Sequence, residues 1–250
     1  MFSFSIHSFG VTLRLTAGHR FPFFHGAVVY SLLCSALNKH PLGSGVLVYP
    51  CESGRVFYES GWKYRFGVLV LDPAEAATLP ERIADGYTSV KENGNKLFFH
   101  SELEQVHRLG MLTELPNAVV PNWGLVSLNF TAPLRMARKD PQKGKQFFDP
   151  DFFDPKRFYT LLSERVRRLK QEYGWGIPVP EGPPEDLMIG NSSFLWVDVP
   201  FTKTLGGIFG SVNMSGTMTQ EQFDILRLGQ IIGAGSNTSF GFGAYRIAGH

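Results

Sequence analysis

Cysteine is scarce in this 250-residue sequence, with Cys34 and Cys51 alone and in no metal-ligand spacing. That excludes a disulfide framework and a cysteine-built zinc site. Cys34 falls within an apolar helical pattern and reads as core, in a chain expected in the reducing cytoplasm. Long hydrophobic runs are also missing: none approaches the roughly 18 residues a membrane span needs. The opening Met1-Phe2-Ser3-Phe4-Ser5-Ile6-His7 is not a signal peptide, so no membrane partner is expected. There is no Walker loop and no nucleophilic triad. Gly233-x-Gly235 is no dinucleotide fingerprint either, since no strand precedes it. Neither a cofactor nor a metal is expected.

Excess charge of one sign is absent as well, with a net charge of only +2. Bulk charge therefore announces no polyanion, but its distribution does. Residues 1–120 hold ten basic and ten acidic residues, whereas residues 135–170 hold eleven basic against five acidic. Residues 171–250 reverse the balance, with three basic and seven acidic. A basic segment inside a near-neutral chain suggests a local groove for a polyanion, against the competing reading of a solvated charged helix.

What the sequence does have is glycine in one place. Thr219 is a candidate N-cap, and Phe223, Leu226, Leu228, Ile231 and Ile232 supply the apolar face of a helix. Gly233 and Gly235 break that pattern. Ser236, Asn237, Thr238 and Ser239 follow, and then Phe240-Gly241-Phe242-Gly243-Ala244-Tyr245-Arg246-Ile247 alternates large and small residues as a tightly packed strand does. With no Cβ in the way and several donors at hand, such a loop suits the close approach of a phosphate backbone. The alternative is a C-cap followed by a tight turn.

In chain order, Phe2 to Leu15 reads as a strand, Phe24 to Leu37 as a helix entered through Pro22, and Val46 to Pro50 as a short strand. Lys63 to Leu71 is a longer strand, Pro73 to Tyr87 a second helix, and Lys96 to His107 a strand. Leu115 to Asn122 resembles a linker. The pattern then repeats, with a strand at 125–134, a helix at 158–173, strands at 194–199 and 207–214, a helix at 219–230 and a strand at 242–247. A proline-rich insertion lies at Ile177 to Pro184. This predicts an α+β fold of two tandem ferredoxin-like (RRM-like, βαββαβ) domains, residues 1–118 and 119–250, with a C-terminal glycine-rich loop.

The glycine string resembles the C-terminal signature of the CRISPR repeat-associated (RAMP) RNA-binding proteins, and above all the endoribonucleases of the Cas six family that mature crRNA. Other pieces match that family in order: Pro22-Phe23-Phe24-His25-Gly26 at the first helix, Thr131-Ala132-Pro133-Leu134-Arg135 ending a strand, and the paired arginines of Arg165-Val166-Arg167-Arg168. Gly206-Gly207-Ile208-Phe209-Gly210 follows ahead of the last helix. The resemblance implies metal-free cleavage of a CRISPR repeat hairpin, in which the ribose 2′-hydroxyl attacks its own phosphodiester. The products are a 2′,3′-cyclic phosphate and a 5′-hydroxyl. It also implies retention on the crRNA as a subunit beside other Cas effector proteins. Some relatives, type IV ones especially, rely on arginine or lysine in place of histidine.

Such chemistry needs a base, an acid and a positive charge for the phosphorane. The family commonly has a tyrosine within the first helix and a histidine at its C-terminal end, which Tyr30 and His40 match, with Lys39 beside His40 to hold the phosphate. A family lysine several residues further on is replaced here by Gly43-Ser44-Gly45. His25 is the rival base: a helix N-terminus pushes an imidazole toward neutrality and attracts phosphate. Arg20 lies close before it. Packing roles for Tyr30, His25 and His40 compete with each of these. For RNA contact the candidates are Arg135, Arg138, Lys139, Lys143, Lys145, Arg157, Arg165 and Arg168, where charges alternate with aromatics. Gly233, Gly235, Ser236, Asn237, Ser239 and Arg246 complete the set. A non-catalytic RAMP subunit binding crRNA is the second hypothesis, and a general single-strand RNA binder the third.

Overall fold

The computed structural model describes residues 3–38, 42, 45–50, 54–92, 100–121, 124–140, 144–147, 149–200 and 204–248. Its strands and helices, in chain order, are β1 (Ile6–Leu15), β2 (His19–Arg20), α1 (Gly26–Ala36), β3 (Val46–Pro50), β4 (Phe57–Tyr58), β5 (Lys63–Val70), α2 (Pro73–Glu92) and β6 (Ser101–Leu112). After residues 113–125 come β7 (Val126–Leu134), β8 (Ala137–Asp140), β9 (Gly144–Phe147), α3 (Pro155–Tyr173), β10 (Met188–Val199), β11 (Leu205–Ser215), α4 (Gln220–Ile232) and β12 (Tyr245–Ile247). None of the described helices is long and apolar enough to cross a membrane.

Local signals account for the elements. Along β5, Tyr64, Phe66, Val68 and Val70 are buried, and the intervening residues lie toward the other face, the period of two that a half-covered strand requires. α3 starts at Pro155 behind an N-cap, Asp154, whose carboxylate accepts the N–H groups of Lys156 and Arg157, and it ends at left-handed Gly174. α4 opens with a full capping box between Thr219 and Gln222.

Two four-stranded antiparallel sheets result, in the orders β3-β5-β1-β6 and β10-β11-β7-β12. Each sheet carries its own helix pair, α1 against α2 and α3 against α4. That arrangement is consistent with the two ferredoxin-like units expected from the element order. The first strand begins at Ile6 and the fourth runs Ser101–Leu112, both displaced from the expected limits. Two ribbons were not expected: β2 pairs with β4, and β8 pairs with β9.

The halves share their interior. Phe4, Ile6, Leu47 and Leu71 from the first half join the core built by β7, β11, α3 and α4. Phe4 lies against Trp175 at 5.6 Å, and the Gly176 N–H donates to the Ser3 carbonyl at 2.7 Å. A second seam sets Phe24 edge-on to Phe242 at 4.8 Å. The glycine-rich loop lies at this second seam.

Candidate functional site

The glycine loop is a fastened knot. α4 ends where Gly233, at φ 72°, donates its N–H to Gly229 at 2.9 Å. The Ala234 N–H then donates to Gly243, Gly243 to Pro133, and Ser236 to Arg135, at 2.8 to 3.0 Å. Asn237 takes the left-handed conformation ahead of a 3-10 turn at Thr238–Phe240. Glycine is required because a Cβ at Gly235 would stand 2.5 Å from the Arg135 carbonyl oxygen, and one at Gly243 would overlap that of Ala234. The N–H groups of Gly233, Gly241 and Gly243 therefore point at protein carbonyls. What the loop turns outward are Ser236, Asn237 and Ser239, all half-buried.

This knot seats directly on α1. A Cβ at Gly26 would overlap the Phe240 carbonyl oxygen, so the first turn of α1 touches the loop backbone. About one turn on, the Tyr30 ring packs on Phe240 at 4.0 Å. Tyr30 is buried, and its hydroxyl accepts the Leu42 N–H at 3.0 Å. Burial pushes that phenol above its ordinary pKa. The hydroxyl thus holds the chain two residues beyond His40. His40 and Lys39 themselves lie outside the described residues.

His25 precedes α1 with no exposed surface. Its Nε2 lies 2.8 Å from the Arg55 carbonyl and its Nδ1 3.1 Å from the Tyr64 hydroxyl. A carbonyl only accepts, so Nε2 carries a proton and donates it there, while Nδ1 is engaged by the Tyr64 hydroxyl. Phe21, Tyr58 and Tyr64 surround the ring. The expectation of a catalytic base here is corrected: an enclosed imidazole with both nitrogens engaged cannot reach a phosphodiester. His25→Ala removes two buried hydrogen bonds and ring packing, and is expected to cost about 2–4 kcal/mol. Urea unfolding measures this; a wild-type midpoint with lost catalysis would restore the catalytic role. His19, half-buried against Phe21, has its pKa lowered by burial. Arg20 is exposed on β2.

The basic segment divides by burial. Arg157 and Arg168 are at least partly open to solvent, with Glu164 3.9 Å from Arg157. Arg165 is buried in the core face of α3, and burial with the neighbouring Arg168 pushes its pKa down to about 10. It is no surface contact for RNA in this conformation. The signal was present in the sequence, since Phe158, Leu162, Arg165 and Leu169 share one helical stripe. Arg135 is also buried, with its guanidinium carbon 4.0 Å from the centre of the Phe147 ring. The strands holding Arg138, Lys139 and Lys145 form the β8–β9 ribbon, while Lys143 lies outside the described residues.

Arg246 is exposed on β12, paired in register with Asn129. Both line a cleft of about 330 Å³ between the halves, together with Phe23, Tyr49, Thr131 and Phe209. Sequence reading missed the aromatic walls because they come from three separate segments with no shared motif. Among the described residues no cluster of His, Cys, Asp and Glu has the arrangement to hold a metal ion.

A family profile described as CRISPR-associated endoribonuclease Cas6 matches residues 128–245. No curated protein matches the chain. Among solved structures, a chain of a partial Cas6-RT-Cas1–Cas2 complex superposes with a TM-score of 0.69 at 18% identity, covering 98% of this chain and 46% of that one. This chain thus spans less than half the length of that relative. Thermus thermophilus Cas6 superposes with a TM-score of 0.61 at 14% identity over 98% of both chains. A Cas6 product complex gives a TM-score of 0.61 at 14% identity over 97% of this chain and 99% of that one. The chain shares the fold of these solved structures along nearly its whole length. The matched stretch, residues 128–245, holds the second sheet's central strand and the glycine loop, and there the chain is similar to the Cas6 family of CRISPR-associated endoribonucleases.

Proposed function

We propose that this protein binds the stem-loop of a CRISPR repeat and cuts precursor crRNA by metal-independent attack of the 2′-hydroxyl, leaving a 2′,3′-cyclic phosphate and a 5′-hydroxyl. It works as two ferredoxin-like domains, residues 1–118 and 119–250, with the reaction at their shared seam. The observation that carries this reading is the joint between the family's glycine loop and α1, where Gly26 touches the Phe240 carbonyl and Tyr30 packs on its ring. That joint fixes the helix leading to His40, the residue proposed to exchange protons, with Lys39 beside it for the phosphate. Tyr30 supports the site from beneath, through Leu42. Retention on the product and association with other Cas subunits are part of the proposal, in line with solved relatives described as a product complex and as a Cas6-RT-Cas1–Cas2 complex.

The burial of His25 and Tyr30 favours a second reading, a RAMP subunit that holds crRNA without cutting it. Hairpin repeat RNAs incubated with the protein in excess EDTA separate the two. Cleavage at an undiminished rate, with cyclic-phosphate ends, is expected. Tight binding with intact RNA for every cognate repeat would establish the second reading.

A further inference from the structure

Arg135 follows β7 directly, and its side chain has no adequate partner. Only 6% of its surface is exposed, and its Nε and Nη1 atoms are buried without a hydrogen-bond acceptor. The guanidinium lies between two rings, Phe147 at 4.0 Å and Phe242 at 5.8 Å. Rings attract a cation through their faces but accept none of its in-plane N–H groups. Gly207 makes room for the stem, since a Cβ there would come within 3.2 Å of the Arg135 Cγ.

The contrast with Arg227 is instructive. That arginine is equally buried, yet it meets the Asp224 carboxylate at 2.9 Å and donates to the Pro116 carbonyl. A buried charge left unpaired is costly, and an orphaned donor in a native fold calls for a partner. For Arg165, the charge of Glu172 partly offsets the deficit. Among the described residues no such anion acts on Arg135, whose pKa is lowered by burial.

Its cover is the β8–β9 ribbon, which carries Phe147 at its end. Among the described residues that ribbon pairs with no other strand, and four residues per strand make it marginal by itself. Arg138, Lys139, Lys143 and Lys145 also lie within residues 137–147, against a single acidic residue, Asp140. A polyanion is thus drawn to the element that covers the orphaned guanidinium.

We propose that Arg135 is a covered phosphate site: an RNA backbone phosphate displaces Phe147 and the β8–β9 ribbon and takes the planar N–H fork of the guanidinium. The natural ligand follows from the RNA-processing reading above, while the anion site follows from Arg135 itself. The fork matches a phosphodiester in two parallel hydrogen bonds, which a lysine does not reproduce. The free protein is less stable for holding the charge unpaired, and the ligand supplies the missing acceptors.

The test combines thermal unfolding with binding of a short oligouridylate across a salt series. For wild type, millimolar inorganic pyrophosphate is expected to raise the Tm. Arg135→Met is expected to melt higher than wild type without ligand and to lose the pyrophosphate response. Its oligouridylate affinity falls roughly tenfold or more. The slope of log affinity against log salt becomes shallower by about 0.7, the loss of one single-strand phosphate contact. An Arg135→Met protein that melts lower, with pyrophosphate response and salt slope intact, overturns the proposal. If that variant does not fold, Phe147→Ala decides: a stronger pyrophosphate response supports the site, and an unchanged one refutes it. RNA binding that persists unaltered in Arg135→Met removes this site and leaves the RNA reading standing. A pyrophosphate response that depends on Arg135, without any RNA binding, keeps the anion site and removes the RNA reading.

Discussion

A hairpin repeat RNA with 2′-deoxyribose at the scissile nucleotide is expected to be bound by this protein and left uncut. The proposed reaction uses that hydroxyl as its nucleophile, so its removal deletes the reactant and spares the phosphates that supply most binding. Single-turnover cleavage in EDTA measures the rate, and competition binding shows affinity held within about twofold. Cutting that continues on the deoxy substrate means that water or a protein group attacks, and the proposal falls. His40→Ala belongs with this experiment, with an expected loss of about 10²–10⁴-fold, the usual contribution of one positioned acid or base. Tyr30→Phe has a different signature. Its hydroxyl is occupied by the Leu42 amide, so the rate falls while the pH profile keeps its shape.

Gly243→Ala is expected to be severely damaging for so small a substitution, costing about 3 kcal/mol or more of stability. Two effects add. Gly243 holds φ at +70°, a region costly for any residue with a Cβ, and the added carbon would overlap the Ala234 carbonyl oxygen. The opposing backbone cannot yield cheaply, because Ala234 and Gly243 are bonded to each other and Gly243 is bonded to Pro133. Gly61 is the control: its φ is +85°, but nothing lies within 4 Å of an added Cβ. Gly61→Ala should therefore cost only the backbone term, about 1–2 kcal/mol. Urea unfolding of both variants measures the difference, and equal losses would mean that the close approach at Gly243 does not exist. Loosening the knot also unseats Phe240 from Tyr30, so RNA cleavage should fall along with stability.

How much of this was legible beforehand differs from element to element. The strand at β5 and the Thr219 cap of α4 rest on local codes, and each produced the element expected; α3 begins at Pro155 behind Asp154, three residues before the helix expected at 158–173. Repetition of element order then led to two antiparallel sheets, because hairpins and helical crossovers leave few ways to close them. The β8–β9 ribbon was read as a basic, aromatic-bearing segment and no strand was assigned to it. Its four-residue strands carry no clear period of two, and the pairing is mutual.

Burial was the larger miss. Residue type marks Arg135 and His25 as ready for RNA or catalysis, but type does not reveal what folds over a side chain. Arg135 disappears beneath Phe147, twelve residues on, and His25 beneath Tyr64, thirty-nine residues on. Sequence alone determined the four helices, the eight strands of the two main sheets and the glycine loop, since these depend on backbone preference and nearest neighbours; it did not determine the two ribbons. Only the tertiary structure decided that the Gly243 N–H fastens the loop to β7, that the Gly233 and Gly241 N–H groups are spent on nearby carbonyls, and that α1 rests on that loop. It also decided which cations face water. The reason is physical: burial and hydrogen-bond partnership arise from contacts between segments far apart in the chain, and no local pattern encodes them.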